Sequence, residues 1–197
     1  MNTERCLGVM GGAFNPVHLG HLAAAEEARQ LYHLDEVLFV PCGDPPWPKE
    51  EALADSELRF AMVAQAIADH PQFRLSRQEI ERQGPSYTVD TLRSLQVQRP
   101  ERRLFLIVGM DAAQEFAHWR GPEVILTIAE LLVVVRPPYR TPKNAPLFRH
   151  PQVHLIETPG VAISSTQIRE RVSTGRSIRF LVPPLVAETI FWANLYR

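Results

Sequence analysis

The sequence is short of several features that would settle a protein's class at once. It has only two cysteines, Cys6 and Cys42, among 197 residues. Neither has a Cys or His partner at zinc-ligand spacing, so reduced thiols are expected, with no disulfide and no protein-held metal. No apolar run approaches the length of a membrane span, about 18 residues or more. Met1–Arg5 leads into a short apolar segment with no basic region before it, so no signal peptide is read and the cytoplasm is the expected location. Charge of one sign is also missing: 21 Lys and Arg stand against 22 Asp and Glu, with no block of either. Neither a nucleic-acid nor a membrane partner is therefore expected. Any site for an anion has to be a local cluster.

What is present is an alternation. Short apolar runs at Cys6–Met10, Glu36–Val40, Phe73–Leu75, Leu104–Val108, Leu131–Val135 and Val153–Ile156 read as strands. Most are apolar on successive residues, which suits strands covered on both faces. Helical patterns fall at Leu19–Tyr32, Ser56–Asp69, Thr88–Gln98, Asp111–Phe116, Pro122–Ile128, Thr166–Ser173 and Pro184–Leu195. The expected fold is a Rossmann-like, doubly wound α/β sheet, mostly parallel, with helices on both faces. A single domain over 1–197 suits the length, with a helical part from about 160 to 197. Ligands of such sheets bind at the carboxyl ends of the strands.

Two stretches, Pro41–Asp55 and Arg136–Gln152, hold nine of the 17 prolines and read as long loops. The second carries Arg136, Arg140, Lys143 and Arg149. A solvated loop and a cover over bound phosphates are equally good readings of it.

Chemistry concentrates after the first strand, in Gly11-Gly12-Ala13-Phe14-Asn15-Pro16-Val17-His18-Leu19-Gly20-His21. The glycines permit a sharp turn and close approach of a ligand to the backbone. The following helix start offers unpaired N–H groups and a positive dipole end. Two imidazoles three residues apart face one region, where each can donate to phosphate oxygens or carry charge. Gly20 between them leaves room for a flat group. No Gly-Lys-Ser/Thr follows, so this is not a P-loop, and Gly-x-Gly-x-x-Gly is absent too.

This run resembles the signature of the nucleotidylyltransferase superfamily with the His-x-Gly-His motif, and its Gly-Gly-x-Phe-Asn-Pro-Val-His is similar to the bacterial nicotinate-nucleotide adenylyltransferases. A second family motif matches Ile163-Ser164-Ser165-Thr166-Gln167-Ile168-Arg169. Physically it reads as a helix start in which Ser164 or Ser165 caps, with Arg169 on an early turn where its guanidinium can meet phosphates. Gly84–Leu92, containing Ser86, Tyr87 and Thr88, resembles the family's pyridine-nucleotide segment, and Gly109-Met110-Asp111 with Trp119 resembles its Gly-x-Asp…Trp pattern. One departure stands out. Where the family has Pro-Pro-His-Lys, this chain has Pro45-Pro46-Trp47-Pro48-Lys49.

The resemblance implies transfer of AMP from ATP to nicotinate mononucleotide, with magnesium as the ATP counter-ion. It implies catalytic roles for His18, His21 and Arg169, and an ATP site made from Gly11, Gly12, Ala13, Phe14, His18, Gly20, His21, Lys49, Gly109, Asp111, Ser164, Ser165, Thr166 and Arg169. It implies a mononucleotide site made from Ser86, Tyr87, Thr88, Asp111, Trp119 and Arg136. A nicotinamide acceptor, phosphopantetheine, a CTP-dependent reaction and a non-catalytic nucleotide-binding module are the rivals. An aminoacyl-tRNA synthetase fragment is disfavoured by the lack of a basic face. Self-association is left open by the sequence.

The remaining histidines, His33, His70, His118, His150 and His154, read as surface or capping residues. Glu79, Glu81 and Arg82 read as a solvated face.

Overall fold

The structure, a computed structural model, describes residues 5–45, 53–135, 146–158 and 162–197. The expectations placed on Trp47, Lys49 and Arg136 lie outside the described residues.

Six strands form one sheet: β1 (Arg5–Gly12), β2 (Glu36–Pro41), β3 (Phe73–Leu75), β4 (Arg102–Gly109), β5 (Ala129–Val135) and β6 (Val153–Glu157). Their spatial order is β3-β2-β1-β4-β5-β6, and every pairing is parallel. The strand order reverses between β1 and β4, which makes the carboxyl ends of those two strands the natural ligand crevice. Gly11 and Gly12 end β1, and Gly109 ends β4 beside it.

The apolar runs explain the two layers. Alternate side chains of β4 and β5 enter opposite cores, Phe105, Ile107, Leu132 and Val134 on one side and Leu104, Leu106, Leu131 and Val133 on the other. The first core is covered by α1 (Leu19–Leu31), α2 (Ser56–Ile67), α6 (Ser165–Ser173) and α7 (Pro184–Trp192). The second is covered by α3 (Thr88–Gln98), α4 (Met110–Gln114) and α5 (Pro122–Ile128). Each fully buried Leu, Ile or Val contributes about 1.5–3 kcal/mol relative to exposure, so the paired cores hold the strand ends in register.

Local signals set the helix starts. Asp55 caps α2 by accepting from the Glu57 N–H at 2.9 Å. Gly121, at φ 63°, turns the chain in the left-handed region before Pro122 opens α5. The bounds of β3, α3 and α5 are those read in the sequence, and the other elements differ by one to three residues at one or both ends.

Candidate active site

The turn after β1 departs from expectation in one respect. Gly11 and Gly12 still belong to the strand, and neither has a positive φ; the left-handed residue is Phe14, at φ 47°. A cis peptide joins Asn15 to Pro16. Phe14 is buried against Phe39 and stands edge-on to His21, with ring centroids 5.1 Å apart. The glycines' use is thus their missing side chain on the cleft wall.

His18 also differs from its expected place. It does not sit on the helix face but serves as the N-cap of α1, 1% exposed. Its Nδ1 accepts from the His21 N–H at 3.3 Å, and His21 Nδ1 accepts from the His18 N–H at 3.2 Å. The pair forms a capping box with imidazoles in the roles usually taken by Ser and Glu. The rings stack with centroids 3.7 Å apart. With each Nδ1 held as an acceptor, the proton of each neutral ring is on Nε2.

The second motif meets this turn directly. Ser164 is the N-cap of α6, accepting from the Gln167 N–H at 3.2 Å, which settles which serine caps. Ser165 Oγ donates to the Pro16 carbonyl at 2.9 Å, and an Arg169 Nη donates to the Asn15 carbonyl at 2.9 Å. Its other Nη donates to Thr166 Oγ1 at 3.2 Å. Burial lowers the Arg169 pKa, with the nearby Tyr196 acting in the opposite sense; a guanidinium remains cationic at neutral pH all the same. Tyr196 donates its phenol to Asn15 Oδ1 at 2.8 Å, and burial pushes its pKa upward.

A cleft of about 750 Å³ opens at the carboxyl ends of β1 and β4. Gly11, Gly12, Ala13, Gly20 and His21 line one part of it; Gly109 and Asp111 line another, and Ser86, Tyr87, Thr88 and Trp119 a third. Phe14, His18, Ser164, Ser165, Thr166 and Arg169 are not on its lining; Ser165 and Arg169 bond to the Pro16 and Asn15 carbonyls, in the turn that follows the Gly11–Ala13 wall. Asp111 is exposed in the first turn of α4, whose N-cap is Gly109, so its carboxylate is not a cap. A Cβ on Gly109 would fall 2.4 Å from Asp111 Oδ1. That clearance lets the carboxylate fold back over the strand end.

Several residues of the site escaped the sequence reading. Glu79, read as solvated, is 6% exposed and lines the cleft. Thr91 Oγ1 donates to its carboxylate at 2.5 Å, and Arg82 donates to Thr91 Oγ1 at 3.1 Å. Burial raises the Glu79 pKa, partly opposed by the Thr91 bond and by Arg82. Glu81 and Arg82 do meet solvent as read, in full and in part. His118 lines the cleft, whereas His70, His150 and His154 take hydrogen-bonding or ion-pair roles elsewhere. Arg120 is the one Arg or Lys on the lining among the described residues, its guanidinium 4.6 Å over the Tyr87 ring. Cys42 is buried, and burial raises its thiol pKa. Neither cysteine forms a disulfide among the described residues.

Arg59 of α2 is the other omission. It is 1% exposed, yet its bonds run to main-chain carbonyls of three segments: Ala13 at 2.8 Å, Gly43 at 3.3 Å and Ala54 at 2.9 Å. A signal was there to be read, since Arg59 falls on the buried stripe with Met62, Val63 and Ala66.

A turn capped by two histidines thus lies at the switch point of a parallel sheet, the arrangement in which such folds hold nucleotides. Residues 9–171 match the cytidylyltransferase-like family model. A protein of Leifsonia xyli subsp. xyli, named as a probable nicotinate-nucleotide adenylyltransferase, is 44% identical over 97% of this chain and 94% of its own. A protein of the same name from Moorella thermoacetica is 40% identical over 97% of this chain and 91% of its own. The chain accordingly belongs to the nicotinate-nucleotide adenylyltransferase family. The solved Plasmodium falciparum nicotinic acid mononucleotide adenylyltransferase, complexed with NaAD, superposes with a TM-score of 0.82 over 98% of this chain and 97% of that one. At 19% identity that likeness speaks for the fold.

Proposed function

We infer that the protein transfers AMP from ATP to nicotinate mononucleotide, giving the deamido dinucleotide and pyrophosphate in NAD biosynthesis. The observation that supports this reading is the pair of hydrogen bonds from Ser165 and Arg169 to the Pro16 and Asn15 carbonyls, which ties the second motif to the turn of the first. A phosphate oxygen of the mononucleotide attacks the α-phosphorus in line. The bond to the β-bridging oxygen breaks, and pyrophosphate takes the electron pair. The nucleophile is already an anion, so no side chain needs to be made into one. The work of the protein is to hold two mutually repelling anions and to meet charge as it moves to the leaving group.

In this mechanism the Nε2–H groups of His18 and His21 donate to ATP phosphates. Arg169, with Ser164, Ser165 and Thr166, meets the β- and γ-phosphates. Main-chain groups of Gly11–Phe14 and the open face at Gly20 seat the nucleotide, beside Gly109 and Asp111. Trp119 stacks on the pyridine ring, and Ser86–Thr88 take its carboxylate. Lys49 and Arg136 are proposed contacts of the ATP and mononucleotide ends. Magnesium supplies charge neutralisation when bound with ATP. Asp111 would offer such a cation a hard oxygen donor, with phosphates and water as its main ligands. No described helix is long and apolar enough to cross a membrane, and a cytoplasmic location is proposed with the pathway.

Incubation with ATP, magnesium and either mononucleotide, with mass detection of the dinucleotide, tests the reading. Product from the acid form in preference to the amide is expected. A chain that yields no dinucleotide from either overturns it.

A further inference from the structure

We propose that Arg59, outside the cleft, is a positioning residue for the polyphosphate of the adenylyl donor, acting through the Ala13–Phe14 peptide. The inference rests on the adenylyl-transfer reading above.

The geometry runs as follows. Arg59 is the buried cation of α2, and no carboxylate pairs with it among the described residues. Its donors are directed at the carbonyls of Ala13, Gly43 and Ala54, with the Cys42 sulfur 3.8 Å from one Nη. Bonds from a charged donor are about twice as strong as neutral ones, and leaving that charge unbonded in the interior is costly. The Ala13 carbonyl is therefore held firmly toward the guanidinium.

A peptide unit is planar and trans here, so its N–H points opposite to its C=O. Turning the Ala13 carbonyl inward turns the Phe14 N–H away from Arg59. Gly11, Gly12 and Ala13 line the cleft, and that side is the one proposed for the Phe14 N–H. That orientation is not the relaxed one for phenylalanine, because Phe14 sits at φ 47°, a region most side chains avoid. A peptide in such a state needs an external hold, and Arg59 supplies it. Two guanidiniums thus grip one turn two residues apart, Arg59 at Ala13 and Arg169 at Asn15. The Arg59 charge adds to the field at that site from behind the backbone, where low polarity preserves its effect.

The test uses the full chain with Arg59→Lys and Arg59→Met. KM is measured separately for ATP and for nicotinate mononucleotide, with melting temperature recorded with and without ATP. In Arg59→Met the KM for ATP should rise about ten- to a hundred-fold, as for loss of a charged hydrogen-bond donor, with the KM for the mononucleotide within about twofold. Arg59→Lys keeps the charge but reaches fewer carbonyls, and a rise of about three- to tenfold in the KM for ATP is expected. In both variants the upward shift in melting temperature given by ATP should shrink.

A lower melting temperature with both KM values unchanged, or with both raised alike, would show a purely structural residue and overturn the proposal. If Arg59→Met does not fold, Arg59→Lys decides alone, and an unchanged KM for ATP refutes the inference. A wild-type chain that makes no dinucleotide strikes the functional reading instead. In that case the ATP-dependent melting shift of wild type against Arg59→Lys still decides the role of Arg59.

Discussion

Arg169 donates to the main-chain oxygen of Asn15 at 2.9 Å, across 154 residues of sequence. Both motifs of the site therefore exist as one object only in the folded chain. The bond also orients the guanidinium, because one Nη is spent on Asn15 and the other on Thr166. Replacing Arg169 by Ala should lower kcat/KM by about a hundred- to a thousandfold, the usual loss for a transition-state donor. Lys at this position retains charge but not the fork, and steady-state kinetics should place it between the two. Equal activity in all three proteins would remove Arg169 from the mechanism.

His21 has two duties that a pair of variants separates. Its Nδ1 completes the capping box, and its Nε2 is the proposed donor to phosphate. In His21→Asn the amide oxygen stands where Nδ1 was, so the cap persists while the distal donor is gone. Turnover should fall by about two to three orders of magnitude with little change in melting temperature. In His21→Ala the cap goes too, at an additional cost of about 1 kcal/mol in stability. Comparable turnover in His21→Asn and wild type would assign His21 to capping alone.

Much of this was legible because the signals were local and repeated. Runs such as Leu104–Val108 announced buried strands, and the Gly11–His21 and Ile163–Arg169 motifs announced the starts of α1 and α6. The misread residues share a different physics. Glu79 sits among polar neighbours in the sequence and looks solvated, but the segment around it packs on the end of β2. A Cβ on Gly43 would meet the Glu79 carbonyl oxygen at 2.4 Å. Tyr196 reaches Asn15 across 181 residues, a pairing that no local period encodes. The helix start at Leu19 was legible, but the reciprocal cap between His18 and His21 was not, because imidazole is an unusual cap. Arg59 was readable in principle from its apolar stripe, but its carbonyl partners come from three separate segments.

Gly109 is predicted to be intolerant of a side chain for a reason confined to the site. A methyl at this position meets Asp111 Oδ1 at 2.4 Å, and the short side chain has to swing away. The backbone at Gly109 is extended, at φ −73°, so alanine fits the chain itself. Gly109→Ala should keep its far-ultraviolet circular dichroism and fall about tenfold or more in kcat/KM, as expected when a ligand-facing group is displaced by an ångström or so. A fully active Gly109→Ala would show that the Asp111 position does not matter to the reaction.

Tyr196→Phe removes one hydroxyl and leaves Asn15 Oδ1 with only the Ala54 N–H, at 3.1 Å. Because the phenol is neutral throughout the physiological range and burial raises its pKa further, the effect should not vary between pH 6 and about 9. Chemical denaturation should report a loss of about 1 kcal/mol, the net value of one hydrogen bond. No loss, or a loss that changes steeply within that range, would mean the bond to Asn15 is not the one that matters.

Glu79 gives the molecule a pH dependence of definite sign. Burial is the main cause of its raised pKa, so the folded protein binds this proton more tightly than the unfolded chain does. The stabilisation from the protonated form is complete below the ordinary carboxyl value of 4.5 and is lost as pH rises through the folded-state value. Glu79→Gln keeps an oxygen to accept from Thr91 and cannot ionise, so its own contribution is flat. Urea midpoints measured at pH 5 and pH 8 should therefore show the variant gaining on wild type at the higher pH. If the difference between the two proteins is the same at both values, Glu79 ionises as freely in the fold as outside it, and its burial carries no electrostatic cost.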